Sequence, residues 1–369
     1  MNKLIQLDKL QPGMVAATNI LPPKGHLPIV LRNTLLTNRM ISLFGKHGLS
    51  RVLVEFPDPR MAEEVQLKSV APILDETLLT EAVSSIRHMF DAVSNGISAE
   101  HMTTAYQAVN ELDQVVDRLV DSLTSESNVF VHISGLRSYD EYTYHHSLSV
   151  AVLSIAIGQS MRLTDGELRL LGRCAILHDI GKILVPAYLI NKPARLNDTE
   201  FSIVQAHPLL GYNYLLNSGI GTEDLWNTVS CHHEKLNGTG YPDGLKGSKI
   251  PFMSRIISVA DVFDAITSYR SYRSPMPPAE AMELMMSEVG TSFEFDIINA
   301  FINKIEIYPI NSCVELSNKR CGIVIDNHCS MRPVIQMLDN EEIVDLMSRK
   351  NLNLVVTRIF DKIPRRLAI

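Results

Sequence analysis

Half of the twelve histidines in this 369-residue chain fall between positions 145 and 233: His145, His146, His178, His207, His232 and His233. Two aspartates extend the set, Asp179 directly after His178 and Asp261 further on. From His146 through His178, His207 and His232 to Asp261, each step is about 25 to 32 residues, the length of one helix plus one connection. The intervening sequence is patterned as helix after helix, so each side chain can project from its own helix into one shared core. A chain under that constraint folds as a helical bundle with a polar centre.

Imidazole and carboxylate together suit transition metals such as iron, manganese or zinc. No cysteine belongs to the set, although Cys174 and Cys231 are close in sequence, which argues against a closed structural zinc site. The adjacent pair His178-Asp179 suits a carboxylate that bridges two ions while the histidine binds one. His146, His178, His207, His232, His233, Asp179 and Asp261 are too many ligands for one ion and suitable for two. Paired metals serve phosphoester hydrolysis, one activating water and both neutralising phosphoryl oxygens. A lone helical histidine is ordinarily a core or surface residue, and His88, His101 and His132 are read that way.

Around this centre the chain reads as mainly α, a helical-bundle domain with a small β-rich N-terminal domain and a short β-rich C-terminal segment. Residues 1–57 form the β-rich domain, with strands at Ile29-Val30-Leu31 and Val52-Leu53-Val54 between Pro and Gly turns and a helix over 36–45. Residues 58–127 are a linker punctuated by proline over 58–72, then connecting helix, with Leu112, Val116, Leu119 and Leu123 on one stripe. Residues 128–308 are the helical domain. In it Thr164 opens a helix with a capping box that Gly181 can end. Asn197 opens one that carries His207, and Thr222 caps one that runs to His232-His233. Asn237 to Pro251 is a long loop, and Ser254 to Tyr269 a helix bearing Asp261. Residues 309–369 turn β-like, at Cys313–Leu316, Gly322–Ile325 and Pro333–Ile335.

Composition narrows the partners. A net charge of -7 gives no general attraction for nucleic acid or an anionic membrane, so any polyanion must be met by local positive charge. Five cysteines, an odd number with none spaced as C-x-x-C, fit a reduced, cytoplasmic setting. No run approaches the ~20 apolar residues of a membrane span. Val150 to Ile157 reads as a buried helix.

Four segments carry a family resemblance: Asp140 to Ser147 (DEYTYHHS), Leu177 to Lys182 (LHDIGK), His232 to Pro242 (HHEKLNGTGYP) and Ala260 to Ala265 (ADVFDA). In this order they resemble the HD-GYP subclass of the HD phosphohydrolase superfamily over about residues 128–308. Leu10 to Met14 (LQPGM) is similar to the small domain that precedes some of these proteins. The resemblance implies two divalent ions, iron or manganese. His146, His178, Asp179 and Asp261 would hold one, and Asp179 would bridge to a second held by His207, His232 and His233. His145 occupies a position where the family tolerates many residues. Relatives with a third metal have a glutamate where this chain has Tyr142 and a histidine where it has Ala187, and both departures favour two ions.

The same resemblance implies a substrate, cyclic di-GMP, and a reaction, in-line attack on phosphorus by metal-activated hydroxide to give linear pGpG and/or GMP. Asp179 and Lys182 are the expected catalytic residues. Lys182, Tyr241, Arg270 and Arg273 are the expected substrate contacts, the arginines because guanidinium clamps phosphate with two donors. Protein partners in second-messenger signalling and a homodimer are left open, and neither a nucleic-acid polymer nor membrane insertion is expected. Three other readings stay open: a sensor that binds cyclic di-GMP without turnover, an enzyme for another nucleotide, and an interaction scaffold.

Overall fold

In a computed structural model of the chain, the described residues are 2–10, 14–16, 20, 30, 36, 40–41, 44, 49, 51–55, 74–94, 99–124, 142–192, 194–268, 276–308, 310–327 and 331–360. They belong to two compact units, residues 1–69 and 70–369.

In the first unit, alternation along Arg51-Val52-Leu53-Val54-Glu55 buries Val52 and Val54 on one face of a strand. That strand, β3 (Arg51–Glu55), is central to an antiparallel sheet with β1 (Asn2–Gln6) and β2 (Val15–Ala16) in the order β1-β3-β2. Leu10, Ala16, Ile20, Val30, Leu36 and Phe44 pack with it into a small apolar core. At the strand expected around Val30, an isolated bridge joins Val30 to Ile20. Of the helix expected over 36–45, Met40, Ile41 and Phe44 are helical and Leu36 is not, the remainder lying outside the described residues. So does the expected linker over 58–72.

The second unit opens with α1 (Glu76–Ser94) and α2 (Ala99–Thr124), which pack on each other. They run antiparallel, as the pairs Arg118 with Glu81 and His88 with Glu111 show. Leu112, Val116, Leu119 and Leu123 form the buried stripe of α2. The next helix, α3 (Tyr142–Ser160), is buried at every residue from Val150 to Ile157. A helix apolar all round belongs inside a bundle. Around α3 pack α1, α4 (Asp165–Leu177), α9 (Phe252–Thr267) and α11 (Phe295–Lys304). Ion pairs of Arg169 with Asp117 and Asp121, and of Arg173 with Asp113, tie α4 to α2. Such partly exposed pairs contribute about 0.2–1 kcal/mol each. Between α4 and α9 come α5 (Ala187–Ile190), α6 (Asp198–Val204), α7 (His207–Ser218) and α8 (Glu223–Ser230), and α10 (Pro278–Ser287) precedes α11.

Three expected helix ends are corrected. The helix opened by Thr164 stops at Leu177, and Gly181 lies beyond it in a 3-10 segment, Ile180–Leu184. The helix opened by Asn197 stops at Val204, and His207 begins a new one. The helix after Thr222 stops at Ser230, leaving His232 and His233 just past its end.

The chain continues into an antiparallel sheet, β4 (Cys313–Leu316), β5 (Cys321–Asp326), β6 (Val334–Met337), β7 (Ile343–Asp345) and β8 (Val356–Phe360), in the order β7-β6-β5-β4-β8. Val314, Leu316, Val324, Ile335 and Met337 from its inner face join the same apolar core as the helices. Among the described residues no helix is long and apolar enough to cross a membrane.

Candidate metal centre

The last carbonyls of an α-helix have no partner within the helix. Three histidines use this. His178 follows α4 and its Nδ1 meets the Ala175 carbonyl at 2.6 Å. His207 follows α6 and its Nδ1 meets the Val204 carbonyl at 2.8 Å. His232 follows α8 and its Nδ1 meets the Val229 carbonyl at 2.6 Å. A carbonyl only accepts, so in each ring Nδ1 carries the proton and Nε2 presents a lone pair. The helix ends thus set both where these rings stand and which nitrogen they offer.

The offered nitrogens converge. Nε2 of His207 and Nε2 of His232 are 3.3 Å apart. Nε2 of His178 is buried without a hydrogen-bond partner. Two lone pairs at that separation repel unless a cation lies between them, and a buried acceptor with no donor is costly. Asp179 divides the cluster between its two oxygens. Oδ1 faces His207 at 3.2 Å and His232 at 3.8 Å. Oδ2 faces His178 at 3.4 Å and His146 at 3.7 Å, and also meets Lys182. Asp261 closes the second half, 3.2 Å from His146 and 3.9 Å from His178, and its other oxygen is 3.9 Å from His233. Two groups could each hold an ion: Asp179, His207, His232 and His233, and His146, His178 and Asp179. The donor set fits two intermediate divalent ions sharing Asp179.

Burial opposes every charge here, and the neighbours decide the result. For Asp179 the effect of burial is overcome by His178 and Lys182, which hold its carboxyl well below the usual range. Asp261 is likewise held well below it against burial, by its hydrogen bond to His146. Burial, then the charge of neighbouring histidines, pushes His232 well below the normal imidazole value. Burial takes His233 down to about 3. Ionised carboxylates and neutral imidazoles are the forms that bind metal. His146 differs: burial would lower it, but hydrogen bonds to Asp261 and Asp264 raise it to about 9, so an arriving ion must displace a proton there. The neighbouring thiols are poor competitors, since burial raises Cys231 and takes Cys174 up to about 12.

All seven expected ligands are therefore brought together. Lys182 joins them through Asp179, from the 3-10 segment. Tyr241 lies against His233, ring centroids 4.8 Å apart, and burial keeps its hydroxyl protonated. Arg270 and Arg273 lie outside the described residues.

Two buried carboxylates went unassigned in the sequence. Asp264, one turn after Asp261 on α9, faces His146 Nδ1 at 2.7 Å. Its spacing from Asp261 was the available signal. Glu234, directly after His233, accepts the backbone N–H groups of Asp243 at 2.8 Å and Leu245 at 3.0 Å, clipping together the base of the loop that carries Tyr241. Inside that clip Gly240 runs against backbone: a Cβ there would come 2.4 Å from Lys235 N and 2.5 Å from the His233 carbonyl oxygen. Glu234→Ala strands both amides and is expected to cost about 2 kcal/mol, with Glu234→Gln losing roughly half as much. Urea melts of both variants check this, and an unchanged midpoint for Glu234→Ala would remove the clip.

A buried cluster of imidazoles and carboxylates around an adjacent His-Asp pair, held by a helical bundle, is the arrangement of a candidate helical metalloprotein. Residues 131–297 match the HD domain family. The chain is 34% identical over 273 residues to the cyclic di-GMP phosphodiesterase PA4108 of Pseudomonas aeruginosa, covering 74% of this chain and 63% of that protein. It is 36% identical over 168 residues to the 3'3'-cGAMP-specific phosphodiesterase 3 of Vibrio cholerae, covering 46% of this chain and 36% of that protein. The chain thus spans less than two thirds of either relative. A solved HDG"Y"P protein, Bd1817 of Bdellovibrio bacteriovorus, aligns with TM-score 0.46 and 18% identity over 82% of this chain and 98% of that one.

Proposed function

We propose that this chain is a cyclic di-GMP phosphodiesterase of the HD-GYP kind, hydrolysing its substrate to linear pGpG and/or GMP with two divalent ions, iron or manganese. The observation that carries the reading is the split of Asp179, one oxygen to each half of the cluster. His146, His178, Asp179 and Asp261 would hold one ion, and Asp179, His207, His232 and His233 the other. When bound, such a pair lowers the pKa of water toward neutrality and neutralises charge on phosphoryl oxygens. The chain's own groups do the rest. Lys182, half-buried, holds its ammonium beside Asp179, from where it would meet a phosphate oxygen of a substrate bound at the cluster. Tyr241, a neutral donor with an aromatic face, borders the site on the His233 side. Arg270 and Arg273 clamp the phosphates and, with Lys182, supply the local positive charge that a chain of net -7 needs for a dianionic substrate. The chain is organised in four parts for this purpose, residues 1–57, 58–127, 128–308 and 309–369, with catalysis in the third.

The test is metal analysis joined to hydrolysis, on protein purified without oxygen and reloaded with iron or manganese. Near two ions per chain and conversion of cyclic di-GMP to linear product are expected. Metal and ligand binding without turnover would replace the enzyme with a sensor. The resemblance to a cGAMP-specific relative makes 3'3'-cGAMP the comparison substrate, and preferential turnover of it would reassign the substrate while keeping the chemistry.

Arg270→Ala is expected to leave metal content at the wild-type level and lower kcat/KM about 10- to 100-fold, the worth of one charge-assisted contact. Steady-state kinetics with metal analysis on the same sample decides it; lost metal would make Arg270 part of the metal site's support instead.

A further inference from the structure

The histidines of the cluster are not backed alike. His178, His207 and His232 each meet a neutral backbone carbonyl through Nδ1. His146 Nδ1 instead meets a carboxylate oxygen of Asp264 at 2.7 Å. Asp264 is only 3% exposed, and its other oxygen accepts from Ser268 Oγ at 3.3 Å. It stands on the outer side of the imidazole, with the ring between it and the cluster, so it is not a ligand itself. A carboxylate accepts a hydrogen bond more strongly than an amide carbonyl does. It therefore fixes the ring more firmly and makes Nε2 the stronger donor.

Charge is distributed in the same sense. The group around His146 and His178 includes Asp179 and Asp261, with Asp264 behind it. The group around His207, His232 and His233 has Asp179 as its carboxylate. A divalent ion is thus close to neutralised in the first position and retains net positive charge in the second. We propose that Asp264 is a positioning residue that orients and polarises His146, and so makes the position it serves the tighter of the two. This rests on the two-ion reading of the same site. The consequence is ordered loading, in which the ion at His146 and His178 enters first and leaves last.

The experiment is titration of the metal-free chain with Mn2+, followed by calorimetry and by low-temperature electron paramagnetic resonance. The two methods resolve the steps and distinguish single from coupled ions. Wild-type protein is expected to take up two ions in two steps of different affinity. Asp264→Ala is expected to weaken the tighter step about 10- to 100-fold and leave the weaker one unchanged. Asp264→Asn, which can still accept from Nδ1 but carries no charge, falls between them and is the deciding variant if the alanine form does not fold. A thermal melt of each metal-free protein reports on folding. Wild-type affinities at both steps in Asp264→Asn and Asp264→Ala, or equal losses at both, would overturn the assignment while leaving the two-ion reading intact. A wild-type protein that takes up fewer than two Mn2+ would overturn the two-ion reading and this assignment with it.

Discussion

Replacing Asp179 with alanine is expected to leave the protein without either metal ion and to lower phosphodiester hydrolysis by about three orders of magnitude or more, roughly 4 kcal/mol of barrier. The expectation comes from geometry. Oδ1 lies 3.2 Å from His207 Nε2 and Oδ2 lies 3.4 Å from His178 Nε2, so one residue serves both halves. Alanine removes a negative ligand from each position at once. It also leaves Lys182 without its partner at the site, so the remaining positive charge works against any ion that enters. A second variant, Asp179→Asn, separates bridging from single ligation. The amide fills nearly the same volume but offers one oxygen and turns an N–H donor toward the other position. That variant is expected to hold at most one ion per chain and to be inactive. Metal analysis of both proteins, beside thermal melts of their metal-free forms, is the measurement. Two ions retained in Asp179→Ala would refute the bridge.

The cluster of imidazoles and carboxylates was legible in the sequence because its signal is chemical and periodic. Imidazole and carboxylate recur at the interval of one helix and one connection, and Asp179 directly follows His178, the pairing that suits a shared carboxylate. The helix ends were less legible, and the reason is specific. His207 and His232 follow patterns that could continue the preceding helix, but their Nδ1 groups capture the terminal carbonyls of Val204 and Val229 and fix the break there. That contact is tertiary in its consequences and invisible to periodicity. Asp264 and Glu234 went unassigned because a buried carboxylate shows its purpose only once its partners arrive, His146 in one case and two loop amides in the other. In the C-terminal sheet the apolar runs gave β4, β5 and β6. Strand β7 is three residues long and follows the polar run Asp339 to Glu342, and β8 has only partly buried or exposed side chains, so neither has the alternation that marks a half-buried strand.

Gly181→Ala is expected to be the most damaging single-methyl addition near the centre. Gly181 does not end the helix opened by Thr164, as its place in the sequence suggests; it lies in the 3-10 segment where that segment crosses α7. A Cβ at this position would stand 2.0 Å from the His207 carbonyl oxygen, 2.5 Å from Gly211 N and 3.0 Å from Gly211 Cα. These are backbone atoms of a helix and cannot rotate aside, so the two segments must separate. Overpacking of this kind costs about 3 kcal/mol, at the upper end of what an inserted methyl does in a packed core. The damage is not only to stability. The segment begins directly after Asp179 and carries Lys182, and α7 begins at His207, so separating them lengthens the 3.2 Å approach of Asp179 to His207 on which the shared site depends. Metal affinity should therefore fall together with the melting midpoint. Gly166→Ala is the control, because a Cβ there meets nothing within 4 Å in the first turn of α4. Alanine's higher helix propensity should leave that variant as stable as wild type or more so, by about 0.5–1 kcal/mol. Urea unfolding and metal titration of the two proteins side by side make the comparison. If Gly181→Ala unfolds at the wild-type midpoint and binds metal normally, the close crossing of the 3-10 segment and α7 is not what holds Asp179 against His207.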